Sequence, residues 1–171
     1  SSSLQNRKKH IIATNEGSAV SIAIGQYLST KKIPVVYMQN SGLSNALNPL
    51  ISIAHKKVYS IPLILIIGWR GSPQVKDEPQ HNVKGKITEQ LLKLLNIKYT
   101  IIRSNLDLKK FDKQIKLAKK NKSIVACLVE QGTLEKNKNP IKKKDFYSLN
   151  KELFFKILLE SLSKKTKIIS S

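Results

Sequence analysis

The sequence has few of the residues from which many functional sites are built. Its 171 residues include one cysteine, one methionine, one tryptophan and three histidines. A single cysteine excludes an internal disulfide framework and is typical of a reducing, cytoplasmic location. The apolar neighbours of Cys127, Ala126 and Leu128, predict a small buried side chain rather than a reactive thiol. No group of Cys and His residues has the spacing of a zinc site.

Long apolar runs are also absent. The longest, residues 61–67, is far shorter than the roughly 18 residues of a membrane span, so it indicates a buried strand. The sequence contains no G-x-G-x-x-G, no phosphate-loop lysine motif and no G-x-S-x-G elbow. The common nucleotide-binding fingerprints and the α/β-hydrolase signature are therefore excluded.

Acidic residues are scarce relative to basic ones. The chain has 31 Lys and Arg against 11 Asp and Glu, which gives a formal charge of +20. The lysines lie at helix-surface spacing, as in Lys109, Lys113, Lys116 and Lys120, and aromatic residues are not interleaved with them. This pattern favours a solvated lysine surface over nucleic-acid binding. A non-catalytic, basic binding module stays open as an alternative class of function.

Strand-like and helix-like segments alternate along the chain. The strand-like segments are residues 10–14, 33–38, 61–67, 98–102 and 123–129, and the helical ones are residues 17–28, 43–54, 87–95 and 106–120. Pro49 is expected to restart a helix that Asn48 caps, and residues 72–86 are expected to form a polar loop. The alternation predicts an α/β fold, with a mainly parallel sheet and helices on both faces.

The composition changes after Glu130, which suggests three parts. Residues 1–130 are predicted to form one domain, and the polar residues 131–148 are predicted to form a linker. A helix followed by a strand at residues 166–170 would begin a second domain within residues 149–171. One helix and one strand bury too little surface to fold by themselves.

Polar residues follow three of the predicted strands. These clusters are Asn15-Glu16, Gln39-Asn40-Ser41 and Trp69-Arg70. The carboxyl ends of parallel strands meet at one edge of a sheet, where α/β proteins bind their ligands. We therefore expect a site at this edge. For Glu16 itself the pattern leaves two interpretations open, a ligand-binding carboxylate or an acidic first turn that stabilises the following helix.

Four short segments carry a resemblance to a known family. They are Asn15-Glu16-Gly17, the segment from Tyr37 to Leu43 (YMQNSGL), the segment from Ile67 to Gly71 (IGWRG), and the segment from Lys76 to His81 (KDEPQH). Their order and spacing resemble the pyrimidine-binding domain of phosphonopyruvate decarboxylases and the related sulfopyruvate decarboxylases. Both groups are thiamine-diphosphate enzymes. The resemblance covers about residues 10–130 and resumes over residues 150–171, which look like the start of the family's diphosphate-binding domain.

The resemblance implies a role for each polar cluster. Glu16 would hydrogen-bond a ring nitrogen of the cofactor's aminopyrimidine and so activate the cofactor, with Gln39, Asn40 and Ser41 beside it. His81 would act as a proton donor after decarboxylation. Arg70 and Lys76 would bind the anionic tail of a 2-oxo acid substrate, together with Gln80 and His81. Packing within the loop is an equally good explanation of Arg70 and Trp69.

The resemblance also implies a reaction and an assembly. The parent enzyme would convert 3-phosphonopyruvate to phosphonoacetaldehyde and carbon dioxide, using thiamine diphosphate and Mg²⁺ in a homodimer or larger oligomer. A sulfopyruvate decarboxylase subunit is the alternative. The family's Gly-Asp-Gly motif, which binds the metal and the diphosphate, is absent, and the family's first strand and helix are unmatched. We therefore expect a segment of a longer protein, truncated at both ends of the fold and inactive alone.

Overall fold

The computed structural model describes residues 10–134 and 168–170. The strands are β1 (His10–Ile12), β2 (Val35–Gln39), β3 (Ile64–Trp69), β4 (Lys98–Ile102), β5 (Val125–Glu130) and β6 (Ile168–Ser170). The helices are α1 (Glu16–Thr30), α2 (Leu47–Pro49), α3 (Pro79–Leu94) and α4 (Asn105–Asn121). A 3-10 turn, Asn40–Gly42, follows β2, and a π-helical segment, Leu50–Ala54, continues α2.

The described strands form one parallel sheet in the order β1-β6-β2-β3-β5-β4. Gln39 at the end of β2 lies opposite Gly68, and Trp69 at the end of β3 lies opposite Glu130 at the end of β5. The carboxyl ends of these strands are therefore level with one another. This arrangement confirms the predicted α/β fold and brings the polar clusters to one edge.

Alternate strand residues pack on opposite faces of the sheet, as the two-residue period of a strand requires. On one face, Met38, Leu65 and Leu128 pack with residues of α1, α3 and the Leu50–Ala54 segment. On the other face, Ile66 and Cys127 pack against α4, and burial raises the pKa of the Cys127 thiol. Cys127 is therefore the small buried residue that the sequence predicted.

Strand β6 lies inside the sheet, between β1 and β2. Ile169 is opposite Ile11 on one side and Val36 on the other, and both pairings are parallel. The predicted strand at residues 166–170 is thus a strand of this sheet over Ile168–Ser170. The prediction of a second domain over residues 149–171 is untested, because residues 149–167, like most of the predicted linker, lie outside the described residues.

Two local predictions are wrong. The polar loop was expected to continue to residue 86, but α3 already begins at Pro79, at the first helical position, where proline is favoured. Asn48 does not cap a helix at Pro49, because α2 begins at Leu47 and Asn48 is itself helical. Its Oδ1 atom instead accepts a hydrogen bond from the Ser52 hydroxyl.

Among the described residues, no helix is both long and apolar enough to span a membrane.

Candidate functional site

Glu16 is the first residue of α1, just beyond the end of β1. Asn15 caps this helix, because its Oδ1 atom accepts a hydrogen bond from the Ser18 backbone N–H at 2.8 Å. Since Asn15 already serves as the cap, the half-buried Glu16 carboxylate is not needed for that purpose. Its negative charge is favoured beside the helix N-terminus. The two interpretations of Glu16 are therefore compatible.

Gly42 and Asn45, which both follow β2 in the chain, hold the Glu16 side chain in place. Glu16 Oε2 accepts a hydrogen bond from Asn45 Nδ2 at 3.1 Å. A Cβ atom on Gly42 would lie 2.1 Å from Glu16 Cδ and 2.2 Å from Glu16 Oε1. The carboxylate thus lies directly against the Gly42 backbone, in space that any other residue at position 42 would fill.

An open cleft of about 680 Å³ adjoins this carboxylate. It is lined by hydroxyl, amide and apolar side chains, including those of Thr14, Ser18, Asn45, Asn48, Ile12 and Ile22. Glu16 does not line the cleft, although its neighbours Gly17 and Asn45 do. The lining of the cleft is therefore uncharged, and the Glu16 carboxylate is not part of it.

The Asn40 side chain connects three elements at the edge. Its Nδ2 atom donates to the Arg70 carbonyl at 2.9 Å and to Thr88 Oγ1 at 3.1 Å, and its Oδ1 atom accepts from the Arg70 N–H at 3.1 Å. The side chain is buried. Asn40 therefore fixes the end of β2 to the end of β3 and to α3, and its amide is directed into the protein.

Gln39 and Ser41, the residues on either side of Asn40, lie in a different environment from it. Gln39 is the last residue of β2, and Ser41 lies in the 3-10 turn that follows. Both are half-buried, and the Ser41 carbonyl accepts a hydrogen bond from the Ser44 hydroxyl at 3.3 Å. The structure thus brings Gln39 and Ser41 to the same edge as Glu16. Their part in ligand binding stays a prediction.

Arg70 forms a bidentate ion pair with Asp77 at the end of β3. Arg70 Nε and Nη2 donate to the two carboxylate oxygens at 2.8 and 2.7 Å. The Asp77 side chain is 5% exposed and that of Arg70 is 36% exposed. The Arg70 guanidinium holds the pKa of the Asp77 carboxyl far below its usual range, while the carboxylate raises the pKa of Arg70. A loop contact of this kind was one of the two explanations considered for Arg70.

The other predicted substrate-binding residues lie on or next to the start of α3. Lys76 and Gln80 are exposed, and Gln80 Nε2 donates to Glu78 Oε2. His81 is half-buried in the first turn of α3. Its Nδ1 atom is buried and has no hydrogen-bond partner in the described part of the chain. The structure therefore places Lys76 in a loop that is shorter than the sequence predicted, and Gln80 and His81 in the first turn of α3.

A second arginine–carboxylate pair, which sequence reasoning missed, lies on the far side of this edge. Arg103, just after β4, donates to both carboxylate oxygens of Glu130 at 2.9 and 3.0 Å. This contact holds the pKa of the buried Glu130 carboxyl below its ordinary value. Asn45 was missed as well. Nothing in the sequence points to either contact, because the partners are 27 and 29 residues apart.

Comparison with known proteins identifies the family. A family model described as "Thiamine pyrophosphate enzyme, N-terminal TPP binding domain" matches residues 2–92, which is more than half of the chain. The chain belongs to this family. The matched range contains Glu16, the Gln39-Asn40-Ser41 cluster, Arg70 and His81. Thiamine pyrophosphate, or thiamine diphosphate, is therefore the cofactor of the family to which these residues belong.

The curated relatives of this family member are decarboxylases. A phosphonopyruvate decarboxylase of Streptomyces viridochromogenes is 39% identical over 99 residues, which are 58% of this chain and 24% of that protein. One from Streptomyces hygroscopicus is 37% identical over 94 residues, 55% of this chain and 23% of that protein. A sulfopyruvate decarboxylase subunit alpha of Methanococcus maripaludis is 37% identical over 91 residues, 53% of this chain and 52% of that subunit. The match thus spans about a quarter of the Streptomyces proteins and about half of the Methanococcus subunit.

The residues at the edge fit the pyrimidine end of thiamine diphosphate. Asn45 donates a hydrogen bond to one oxygen of the half-buried Glu16 carboxylate, and the other oxygen lies in the space left by the absence of a side chain at Gly42. A carboxylate held in one orientation suits a ring nitrogen that carries or receives a proton. In the described ranges, no three His, Cys, Asp or Glu residues are grouped so as to hold a metal ion.

Proposed function

We propose that this chain supplies the pyrimidine-binding half of a thiamine-diphosphate-dependent decarboxylase that acts on 3-phosphonopyruvate. The products would be phosphonoacetaldehyde and carbon dioxide. The observation that carries the proposal is the Glu16 carboxylate, held by Asn45 and Gly42 at the ligand-binding edge of a domain of this family. Two Streptomyces phosphonopyruvate decarboxylases that are 37–39% identical support the choice of substrate.

Glu16 would hydrogen-bond a ring nitrogen of the aminopyrimidine and exchange a proton with it. When bound, thiamine diphosphate supplies the electron sink that decarboxylation of a 2-oxo acid requires. The contribution of the chain is to keep the carboxylate in one orientation, which the hydrogen bond from Asn45 supports. Gln39 and Ser41 would contact the same ring. Asn40 would keep these two residues in place through its bonds to Arg70 and Thr88.

Arg70, Lys76, Gln80 and His81 would form the substrate end of the site. Asp77 occupies Nε and Nη2 of Arg70, so an anionic tail would meet the opposite side of a guanidinium that is 36% exposed. The exposed Lys76, in the loop that follows Arg70, adds a second positive charge on a flexible side chain. His81 would donate a proton to the product carbon. The N–H groups of the Arg70 guanidinium and the ammonium group of Lys76 can both bind the oxygens of a phosphonate or a sulfonate.

Decarboxylation of sulfopyruvate is the second candidate. Its support is the 37% and 38% identity to the alpha subunits from Methanococcus maripaludis and Methanocaldococcus jannaschii. Phosphonate and sulfonate tails differ by one negative charge at high pH but offer the same arrangement of oxygens. The residues proposed for the tail therefore suit either group.

The proposal includes an assembly. The Gly-Asp-Gly motif expected to bind Mg²⁺ and the diphosphate is absent from the sequence. A diphosphate-binding domain, in another part of the complete protein or in another chain, would supply those ligands. The names of the Methanococcus and Methanocaldococcus relatives describe subunits. We therefore propose an oligomeric enzyme, a homodimer or larger, located in the cytoplasm.

The test is release of carbon dioxide by the complete protein that contains this chain. It would be assayed with phosphonopyruvate and with sulfopyruvate, with and without thiamine diphosphate and Mg²⁺. We expect cofactor-dependent release from phosphonopyruvate, at a higher kcat/KM than from sulfopyruvate. The reverse preference would establish the second candidate. Release from neither substrate would contradict the proposal.

A further inference from the structure

Asp77 lies at the centre of the loop that joins β3 to α3. Besides the two bonds from Arg70, its carboxylate accepts hydrogen bonds from the backbone N–H groups of Gly71 and Glu78, both at 2.9 Å. One carboxylate therefore joins the first residues of the loop to its last. Four hydrogen bonds to a single carboxylate, two of them from a guanidinium, make a rigid arrangement.

The start of α3 packs directly against the same loop. Gly71 has a φ of +67°, and a Cβ atom there would lie 1.9 Å from the His81 carbonyl oxygen. A Cβ atom on Gly85 would lie 1.7 Å from the Gly71 carbonyl oxygen. The indole N–H of Trp69 donates to the Gly85 carbonyl at 2.9 Å. The backbone of the loop and the backbone of the first turns of α3 are therefore in direct contact at this crossing.

His81 is part of this assembly. Its backbone N–H donates to the Glu78 carbonyl at 2.9 Å, and Asn82 Nδ2 donates to the Asp77 carbonyl at 3.3 Å. The Nδ1 atom of the His81 ring is buried and has no hydrogen-bond partner in the described part of the chain. The position of the ring therefore depends on the backbone that carries it.

We propose that Asp77 is a positioning residue that holds Arg70 and His81 in one fixed arrangement at the carboxyl edge of the sheet. Through Arg70 it would orient the group that binds the substrate's anionic tail. Through Gly71 and Glu78 it would fix the turn that carries the proton-donating imidazole. The catalytic side of this proposal is the effect of Asp77 on substrate binding and proton donation, and it rests on the function proposed above. The geometric side is the effect of Asp77 on the positions of Arg70 and His81, and it does not rest on that function.

The geometric side is tested by NMR on the chain itself, with Asp77→Asn. This substitution keeps the size of the side chain and removes its charge. We expect the His81 ring signals to shift and the Arg70 Nε–H to exchange with solvent about tenfold faster or more, because a charge-assisted bond is lost. The His10 and His55 signals report whether the fold persists. Asp112→Asn, which breaks the ion pair with Lys116 within α4, is the matched control and should change neither readout.

Unchanged His81 signals in Asp77→Asn, or equal changes in the control, would overturn the proposal. If Asp77→Asn does not fold, Asp77→Glu decides, since glutamate keeps the charge but its longer side chain cannot keep the carboxylate where the N–H groups of Gly71, Glu78 and Arg70 meet it. A shift of the His81 signals in that variant supports the proposal, and unchanged signals overturn it.

The catalytic side is tested in the complete protein. Asp77→Asn should raise KM and lower kcat, each by about tenfold or more, because displacement of a substrate-positioning group by even 1 Å is costly. Asp112→Asn should alter neither constant. If the role of Asp77 were only to stabilise the fold, the amount of active protein would fall while KM stayed the same. Absence of any decarboxylation by the unaltered protein would count against the proposed function, and the NMR result would still decide the positioning role.

Discussion

At the scale of single residues, Glu16 and Gly42 are complementary in shape. The glutamate side chain occupies the space that a side chain at position 42 would need. Asn45 then determines the orientation of the carboxylate through the bond to Oε2. The Glu16 carboxylate is thus held in one place by two residues from a later segment of the chain.

Gly42→Ala should displace the Glu16 side chain with little loss of stability. The clash is with Cγ, Cδ and Oε1 of a side chain that can rotate away, rather than with backbone. We expect decarboxylase activity to fall by about tenfold or more, because the carboxylate loses its orientation. Activity and the thermal unfolding midpoint would be measured on the same preparation.

Gly25→Ala is the matched control for this substitution. Gly25 lies inside α1, is exposed, and has no atom within 4 Å of the added Cβ position. The alanine should stabilise the protein by about 0.5–1 kcal/mol, since glycine is unfavourable within a helix. If both variants retained full activity, Gly42 would have no role in placing Glu16.

The sequence predicted a role for Glu16 but did not predict which residues hold its side chain. The Asn-Glu-Gly segment lies where a strand gives way to a helix, and this local pattern is visible in the sequence. Asn45 is 29 residues away and lies in a segment of short helical turns. Only the pairing of β1, β6 and β2 in the sheet brings it near Glu16, and that pairing leaves no local signal.

At the scale of elements, the Arg103–Glu130 pair connects the ends of β4 and β5. Strand β4 is the last strand of the described sheet, and β5 is its one neighbour there. The Glu130 side chain is 8% exposed and that of Arg103 is 42% exposed. The contact therefore secures the end of an edge strand whose other side has no strand partner among the described residues.

Glu130→Gln should destabilise the protein at neutral pH and much less in acid. Arg103 lowers the pKa of the Glu130 carboxyl in the folded state. The stability that this group contributes is therefore present above its unfolded pKa of about 4.3 and is lost as the pH falls through the lowered folded value. We expect a loss of about 1–3 kcal/mol at pH 7, because Arg103 would lose its charged partner.

Urea unfolding of the Glu130→Gln variant and the unaltered protein, from pH 7 down to about pH 3, would measure this difference. The difference in unfolding free energy should narrow below about pH 4. A difference that stayed constant across this range would show that the charge of Glu130 does not stabilise the fold.

Helices and strands were predicted accurately where a periodic pattern of apolar residues marks them, and less accurately where other contacts stabilise them. Strand β4 was predicted at residues 98–102, as observed, and α4 was predicted within one residue at each end. Both are marked by their apolar pattern. The start of α3 was missed because its first turns, Pro79 to Lys84, carry mostly polar, exposed residues. Backbone contact between Gly71 and Gly85 stabilises those turns instead, and such contact leaves no periodic pattern.

At the scale of the whole molecule, β6 joins two parts of the sheet. Strand β1, which leads to Glu16, pairs with β6, and β6 pairs with β2. Among the described strands, β1 has no other partner. The sequence predicted a strand near residues 166–170 but not its position in the sheet, because short apolar runs of this kind carry no information about their neighbours.

Ile169→Pro should detach β1 while the rest of the sheet persists. Proline removes a backbone N–H from the middle of β6, and an interior strand does not tolerate that loss. We expect faster amide hydrogen exchange over His10–Ile12, with exchange over Val125–Glu130 unchanged. Ile169→Val, which keeps the N–H, is the control. Equal protection of β1 in both variants would show that β6 does not hold it.

The central claim, that Glu16 activates the cofactor, is tested most directly by proton exchange on the cofactor itself. The measurement is the rate at which the thiazolium C2 proton of protein-bound thiamine diphosphate exchanges with deuterium, compared between the unaltered complete protein and Glu16→Gln. Glutamine keeps the shape of the side chain and its hydrogen bond to Asn45 but cannot take part in proton transfer. We predict exchange slower by about 10²–10⁴-fold in the variant, the range typical of a lost acid–base group. Equal exchange rates, with the cofactor bound to both proteins, would contradict the account.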